Sequence, residues 1–358
     1  MKKVIFVFVL LAVLAMPAFS QWTDLGSGVQ PRVKTSIEEL RIRATLPWIS
    51  GKWFFVDGRY GSATAGGKDL DHALLTLKQA YDKCTTGAGD GIVVVSRQIA
   101  GTSYSTVETD EILWTKYGIT VFGVASPNVY FGRARISHAT AGNADSLVYL
   151  MYLTGQNNVF YNINFANSPD NDGTPVSATA QVSAVKIGGP RNTFIGCHFY
   201  CYPQTANAYK CDIELAASSD ECRFIDCYFG ASSYDAGNNA ASWIYLSGAA
   251  AQHFFKGCTF LQQVSSGTAF GGYETSGATT LNGLDIFEDC IFGVWRANTH
   301  ADICASWFIG TLPNTGNILM KDCFLGGFTE GDATAGNDLI WTNQPAAAAT
   351  GGEAAAIK

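Results

Sequence analysis

The sequence predicts an all-β chain, a single-stranded parallel β-helix solenoid with an N-terminal capping α-helix. Three observations predict it. The first is a six-residue motif that recurs at a nearly fixed spacing. Its copies begin at Phe160, Phe194, Phe224, Phe255, Phe287 and Met320, offset by 34, 30, 31, 32 and 33 residues. A fixed motif at a nearly fixed period marks a repeat architecture. The second is the pattern inside the motif, as in Phe194-Ile195-Gly196-Cys197-His198-Phe199. A large apolar residue comes first, a turn-forming Asn, Gly or Asp third, and then Cys and Phe alternate around one variable position. Gly, Asn and Asp tolerate the backbone angles of a sharp bend, and Cys-x-Phe has the period of a strand. Each unit is therefore two short strands meeting at a corner. Stacked in register at about 4.8 Å, the units build internal ladders. One is Phe160, Phe194, Phe224, Phe255, Phe287 and Met320. A second is Ile163, Cys197, Cys227, Cys258, Cys290 and Cys323. A third is Phe165, Phe199, Phe229, Phe260, Phe292 and Leu325. The third observation is an amphipathic segment ahead of the repeats, described below.

These motifs resemble the coils of the right-handed parallel β-helix, or pectin-lyase-like, superfamily. Asn158-Val159-Phe160-Tyr161-Asn162-Ile163-Asn164-Phe165 is similar to that group's coil, with an Asn at the bend. The resemblance covers roughly residues 52–342 as one solenoid of about seven to nine coils. It implies a fold and leaves function open, since this fold carries lyases, hydrolases, esterases, adhesins and phage tail proteins alike.

In chain order, residues 1–20 read as a secretory signal. Lys2 and Lys3 precede an apolar run from Val4 to Ala15, and Ala18-Phe19-Ser20 suits cleavage before Gln21. The run is short for a membrane span, so no stable span is expected after cleavage. Residues 21–51 form a leader, in which Ser36-Ile37-Glu38-Glu39 fits a capping box. Residues 52–123 hold the N-terminal cap and first strands. Lys52–Asp57 is a strand, and Asp69–Cys84 reads as a helix with Leu70, Leu74, Leu77, Tyr81 and Cys84 on one face. A solenoid must cover its open end, and this helix is the expected cover. Strands follow at Ile92–Val95 and Ile119–Gly123. This order is similar to the N-terminal caps of secreted and phage β-helix proteins. Residues 124–344 are coils. Strands before the bend motif are expected at Leu150–Leu153, Ala184–Ile187, Asp212–Leu215, Trp243–Leu246, Ser306–Ile309 and Asp338–Trp341. Residues 345–358 are an Ala/Gly-rich tail with no core positions.

Ten cysteines in an exported chain ordinarily suggest disulfides. Five of them, however, occupy one repeat position among phenylalanines, where a buried thiol serves as a compact apolar residue. Buried free thiols are the expectation there, and Cys201–Cys211 is the one disulfide candidate.

Strand alternation places Tyr152, Lys186, Glu214 and Tyr245 in one outward row, with Ala184, Asp212 and Trp243 in the parallel row. Aromatics that stack on sugar faces, beside carboxylates able to act as acid or base, are what a sugar-binding surface uses. Candidate catalytic residues are thus Lys186, Asp212 and Glu214, and candidate substrate-binding residues are Tyr152, Trp243 and Tyr245. The plainer reading is a solvated sheet face with a Lys186–Glu214 cross-strand pair. Asp170 and Asp172, in a Gly/Pro loop, are candidate ligands for Ca²⁺, although their spacing fits no EF-hand. No other cofactor is indicated.

The superfamily's catalytic sets match poorly. Phe224-Ile225-Asp226-Cys227-Tyr228-Phe229-Gly230 resembles the aspartate-bearing strand of its pectin esterases, but Asp226 falls on the bend position held by Gly196 and Gly257 in sister coils. The polygalacturonase aspartates and the pectate-lyase arginine have no counterpart. The formal net charge is −7 with no Lys/Arg cluster, which argues against nucleic acid as a partner. The reading is a non-catalytic exported or virion-associated β-helix protein for assembly, display or glycan adhesion, secreted or at a surface. Its partners are surface glycans, structural proteins or further copies of the chain. The alternative is an extracellular polysaccharide lyase or esterase acting on acidic glycans.

Overall fold

The computed structural model describes residues 39–342 except 41, 45, 100–101, 105, 126–131, 139–147, 168–182, 202–210, 231–241, 251, 265–271, 276–282, 297–304, 310–316, 327 and 333–339. The chain divides into two compact units, 1–45 and 46–358. In the first, Glu39, Leu40 and Ile42–Ala44 are helical, and Arg43 Nε donates to Glu39 Oε1 at 2.6 Å.

The second unit is a right-handed parallel β-helix built from three long sheets. The first sheet runs Trp53–Asp57, Gly91–Ile99, Thr120–Ala125, Val159–Tyr161, Thr193–Ile195, Arg223–Ile225, Phe254–Lys256, Leu284–Glu288, Asn317–Lys321 and Ile340–Thr342. The second, eight-stranded, runs from Thr106–Glu108 through Ile163–Asn167, His198–Cys201, Tyr228–Phe229 and Thr259–Val264 to Phe324–Gly326. The third, also eight-stranded, includes Ile112–Trp114, Tyr149–Leu153, Ser183–Ile187, Cys211–Leu215, Ser242–Leu246 and Tyr273–Thr275. Neighbours within these three paths pair in parallel, one coil to the next.

The bend that joins the first sheet to the second is the motif's third residue. Asn162, Gly196, Asp226, Gly257, Asp289 and Asp322 all have φ between 51° and 62°. That left-handed geometry suits Gly, Asn and Asp and disfavours branched side chains. Asp226 is thus a turn residue, as its place in the repeat predicts.

The ladders form as the repeat requires. Phe160, Phe194, Phe224, Phe255 and Phe287 stack with centroid spacings of 5.0, 5.1, 4.6 and 4.5 Å. Phe165, Phe199, Phe229, Phe260 and Phe292 do the same at 5.5, 5.1, 4.3 and 4.5 Å. The two stacks meet edge to face, as at Phe194–Phe199, 5.2 Å and 76°, the arrangement aromatic quadrupoles favour. Burying each ring contributes about 1.5–3 kcal/mol. Between the stacks, each ladder thiol points at a carbonyl of the preceding coil. Cys227 Sγ lies 3.4 Å from Phe194 O, and Cys258 Sγ lies 3.3 Å from Phe224 O. Nine cysteines are described, all buried and free, Cys201 and Cys211 among them. The disulfide considered for that pair is not formed. Cys304 lies outside the described residues.

The N-terminal cap is shorter than the apolar spacing predicts. Leu70–His72 is a 3₁₀ turn, Ala73 is extended, and Leu74 bridges to Val56 in parallel. The α-helix, α1, spans Leu77–Lys83 and opens with a capping box between Thr76 and Gln79. The backbone bridge claims Leu74 before a helix can. The sealing role is nonetheless met. Tyr81 of α1 packs against Trp114 with tilted rings at 4.5 Å, and Trp114 against Phe160 at 5.3 Å, so α1 tops the aromatic column. Glu108, on the second sheet, receives the N–H of Leu77 at 2.7 Å and of Lys78 at 3.3 Å, which fastens the start of α1 to the solenoid.

Near the C-terminus Ile340–Thr342 is a strand that extends the first sheet beside Asn317–Lys321, and residues 338–339 of the strand expected at Asp338–Trp341 lie outside the described residues. Phe328–Asp332, beside Ala305–Ile309, continues the third sheet. Residues 1–38 and 343–358, which contain the expected signal and tail, lie outside the described residues. Among the described residues no helix is long and apolar enough to cross a membrane.

Candidate functional site

The third sheet sets the candidate residues side by side. Lys186 is in register with Tyr152 on one side and Glu214 on the other. Glu214 faces Tyr245, and Tyr245 faces Glu274. Leu113, 50% exposed, precedes Tyr152 in the same row. The row that alternation predicts is therefore present as a geometric feature.

Accessibility divides it. Tyr149, Tyr152 and Lys186 are half-buried, whereas Glu214 and Tyr245 are only 4% and 6% exposed. Lys186 Nζ lies 2.8 Å from Glu214 Oε1 and donates to Tyr149 Oη at 3.2 Å. The ammonium also sits 5.0 Å from the Tyr149 ring centroid and 5.3 Å from that of Tyr152, a cation–π arrangement with both faces. Ser247 Oγ donates to the same Glu214 oxygen at 2.5 Å. Burial works against the Lys186 charge, but its bonds to Glu214 and Tyr149 outweigh burial together and hold the amine above its ordinary pKa. Burial, helped by the Glu214 charge, pushes Tyr149 up to about 12. Burial also raises Glu111, against the attraction of Lys186.

The parallel row departs from expectation. Ala184 and Trp243 are fully buried and Asp212 nearly so. Trp243 packs on Phe260 and Phe292, at 5.6 and 6.0 Å, inside the main core. It cannot act as a sugar platform. Tyr245, almost inaccessible, cannot either. Asp212 Oδ1 accepts the Cys201 N–H at 3.0 Å. Burial holds its carboxyl well above the ordinary range, more than the Cys201 and Gly230 amides can offset. On this strand alternation does not separate inside from outside, because both faces are covered: all of Ser242–Leu246 is buried.

Asp170 and Asp172 lie outside the described residues. Among the described residues no group of three or more His, Cys, Asp or Glu side chains is placed to hold a metal ion.

Sequence reasoning missed Tyr149, which partners Lys186, and it missed a second internal column. Two residues before the first residue of each motif stand Asn158, Asn192, Cys222, His253, Asp285 and Ile318, and Ile119 holds the same place one coil earlier, all buried. Asn158 Oδ1 accepts the Ile119 N–H at 3.0 Å, and Asn192 Oδ1 accepts that of Asn158 at 3.0 Å. Asp285 Oδ1 accepts that of His253 at 2.9 Å. The residue before the column is again left-handed at Asn157, Arg191, Glu221 and Gln252, with φ from 55° to 64°. The motif's offsets would have found this column, but its residue types change from coil to coil.

No protein-family model matches the chain, and no curated protein sequence does. Solved structures resemble it in fold at low identity. Pectin methylesterase from carrot is 12% identical with a TM-score of 0.48, covering 84% of this chain and 91% of the enzyme. Pectin methylesterase from Aspergillus niger is 15% identical with a TM-score of 0.48, covering 83% and 85%. Pectin methylesterase PemA from Erwinia chrysanthemi is 12% identical with a TM-score of 0.47, covering 83% and 81%.

Proposed function

We propose that the chain is a non-catalytic, exported β-helix surface protein that adheres to glycans through the patch formed by Tyr149, Tyr152 and Lys186. The observation that supports this reading is the ammonium of Lys186 seated against two tyrosine rings at the accessible end of the row. Tyrosine offers a sugar an apolar face and a hydroxyl at low entropic cost, and Lys186 adds a hydrogen-bond donor held in place by Glu214. The three come from adjacent strands of one rigid sheet, so binding orders little chain. Export rests on the Lys-led apolar run of residues 1–20.

A second reading, a polysaccharide esterase or lyase acting on acidic glycans, has one observation in its favour. Burial raises the Asp212 carboxyl well above its ordinary pKa, the direction of shift that a general acid uses. Its near-complete burial places the adhesive reading first.

The test is a glycan array with native protein and with Tyr152→Ala and Lys186→Met variants. Binding by the native protein that both variants reduce tenfold or more supports the patch. Binding unchanged in both variants, or no binding at all, removes it.

A further inference from the structure

A cluster outside the sheet face carries a different property. His253, Asp285, Tyr273 and Ser219 are each fully buried, where the interior column passes between coils. His253 Nδ1 lies 3.0 Å from both Asp285 carboxylate oxygens. Its Nε2 lies 3.0 Å from the Ser219 carbonyl oxygen and 3.2 Å from Ser219 Oγ. Asp285 also accepts the Tyr273 hydroxyl at 2.9 Å and the His253 backbone N–H at 2.9 Å. A backbone carbonyl can only accept, and an ionised carboxylate can only accept. Both ring nitrogens therefore face acceptors, and only an imidazolium supplies a proton to each.

We infer that the His253–Asp285 pair is a pH-dependent fastener of the solenoid: the middle coils close around a buried imidazolium and loosen when the medium turns alkaline.

The groups that face His253 are these. Asp285 comes from Leu284–Glu288, and Tyr273, from the third sheet, reaches the same carboxylate. Ser219 and Asp220 come from the preceding turn, and Cys222 is the column residue one coil below. Burial disfavours the His253 charge, but Asp285, the Ser219 carbonyl and Asp220 outweigh burial and raise its pKa. A raised histidine contributes stability that is complete below the unfolded value of about 6.5 and is lost as the pH climbs through the folded value. Once the proton leaves, the Ser219 hydroxyl can turn towards Nε2, but the Ser219 carbonyl then faces a lone pair.

The chain contains its own neutral version of this contact. Asn192 Oδ1 accepts both the backbone N–H of Asn158 and its Nδ2–H, at 3.0 and 3.1 Å. The backbone bond is the one Asp285 makes to His253. The double variant His253→Asn with Asp285→Asn therefore keeps the inter-coil contact and deletes the ionisable pair.

Denaturant unfolding of both proteins from neutral to alkaline pH tests the inference. The folded-to-unfolded ratio of the native chain should fall, by at most about tenfold per pH unit, as the pH rises from about 6.5 through the folded value of His253, relative to the double variant. Nitrogen-15 spectra of the native protein at neutral pH should show one histidine protonated at both ring nitrogens, and that signal should be absent from His253→Gln. Parallel stability profiles, or a neutral His253 ring at pH 7, would overturn the inference. If the double variant does not fold, the spectra of the native protein decide alone.

Discussion

Trp243 packs against Phe260 with ring centroids 5.6 Å apart, although strand alternation counts it among the outward residues. It is one of the largest fully buried side chains in the molecule. Trp243→Ala should therefore act on stability rather than on ligand contact. Removing the indole should cost about 3–5 kcal/mol, read by denaturant unfolding. A Trp243→Phe variant, which keeps most of the volume, should bind glycans as the native chain does. A soluble Trp243→Ala protein of unchanged stability would show the ring to be exposed.

The interior was legible in the sequence because it repeats. Phe194 and Phe224 predict one another at a fixed offset, and the bend between them selects Gly, Asn or Asp for its positive φ. The column at Asn158, Asn192, Cys222, His253 and Asp285 occupies an equally fixed position. It escaped notice because a side chain that bridges coils needs only one suitable acceptor or donor, which several residue types provide. The outward row at Tyr152, Lys186 and Glu214 followed from period-two alternation. Its accessibility did not, since burial at Glu214 and Tyr245 depends on what covers the sheet. The helix was over-extended because Leu74, placed on its apolar face, joins a parallel bridge with Val56 instead.

The ladder thiols should be reduced and slow to react. Burial raises the Cys227 thiol well above its ordinary pKa, so its thiolate is scarce at neutral pH. Counting thiols with an aromatic disulfide reagent should find few without denaturant and nearly all with it. Cys258→Ser should cost about 1 kcal/mol, since the hydroxyl inherits the Phe224 carbonyl that the thiol now faces. Rapid labelling of Cys258 in the native protein would contradict the ladder.

Leu74→Asp should yield aggregated or unfolded protein. Leu74 is fully buried beside Val56, and an unpaired carboxylate there has no partner to offset its desolvation. Sedimentation of the purified variant checks this. A soluble monomer with unchanged melting would mean that the cap does not seal the end.

Glu108 should make the cap pH-sensitive. Burial pushes its carboxyl up to about 7, against the pull of the Leu77 and Lys78 amides. A raised carboxyl contributes stability that is present below about pH 4.5 and is lost as the pH rises through about 7. Glu108→Gln removes that loss while keeping an oxygen for the Leu77 N–H. Melting temperatures from about pH 4.5 to about pH 8 should fall more in the native chain than in the variant. Equal slopes would place the Glu108 carboxyl at its ordinary value.

Turnover on acidic glycans tests the non-catalytic reading most directly. Purified protein incubated with methyl-esterified polygalacturonate, free polygalacturonate and alginate, with and without Ca²⁺, should release no methanol and form no unsaturated, ultraviolet-absorbing product. Product formed by the native chain and abolished by Asp212→Asn or Lys186→Met would contradict it and establish the esterase or lyase in its place.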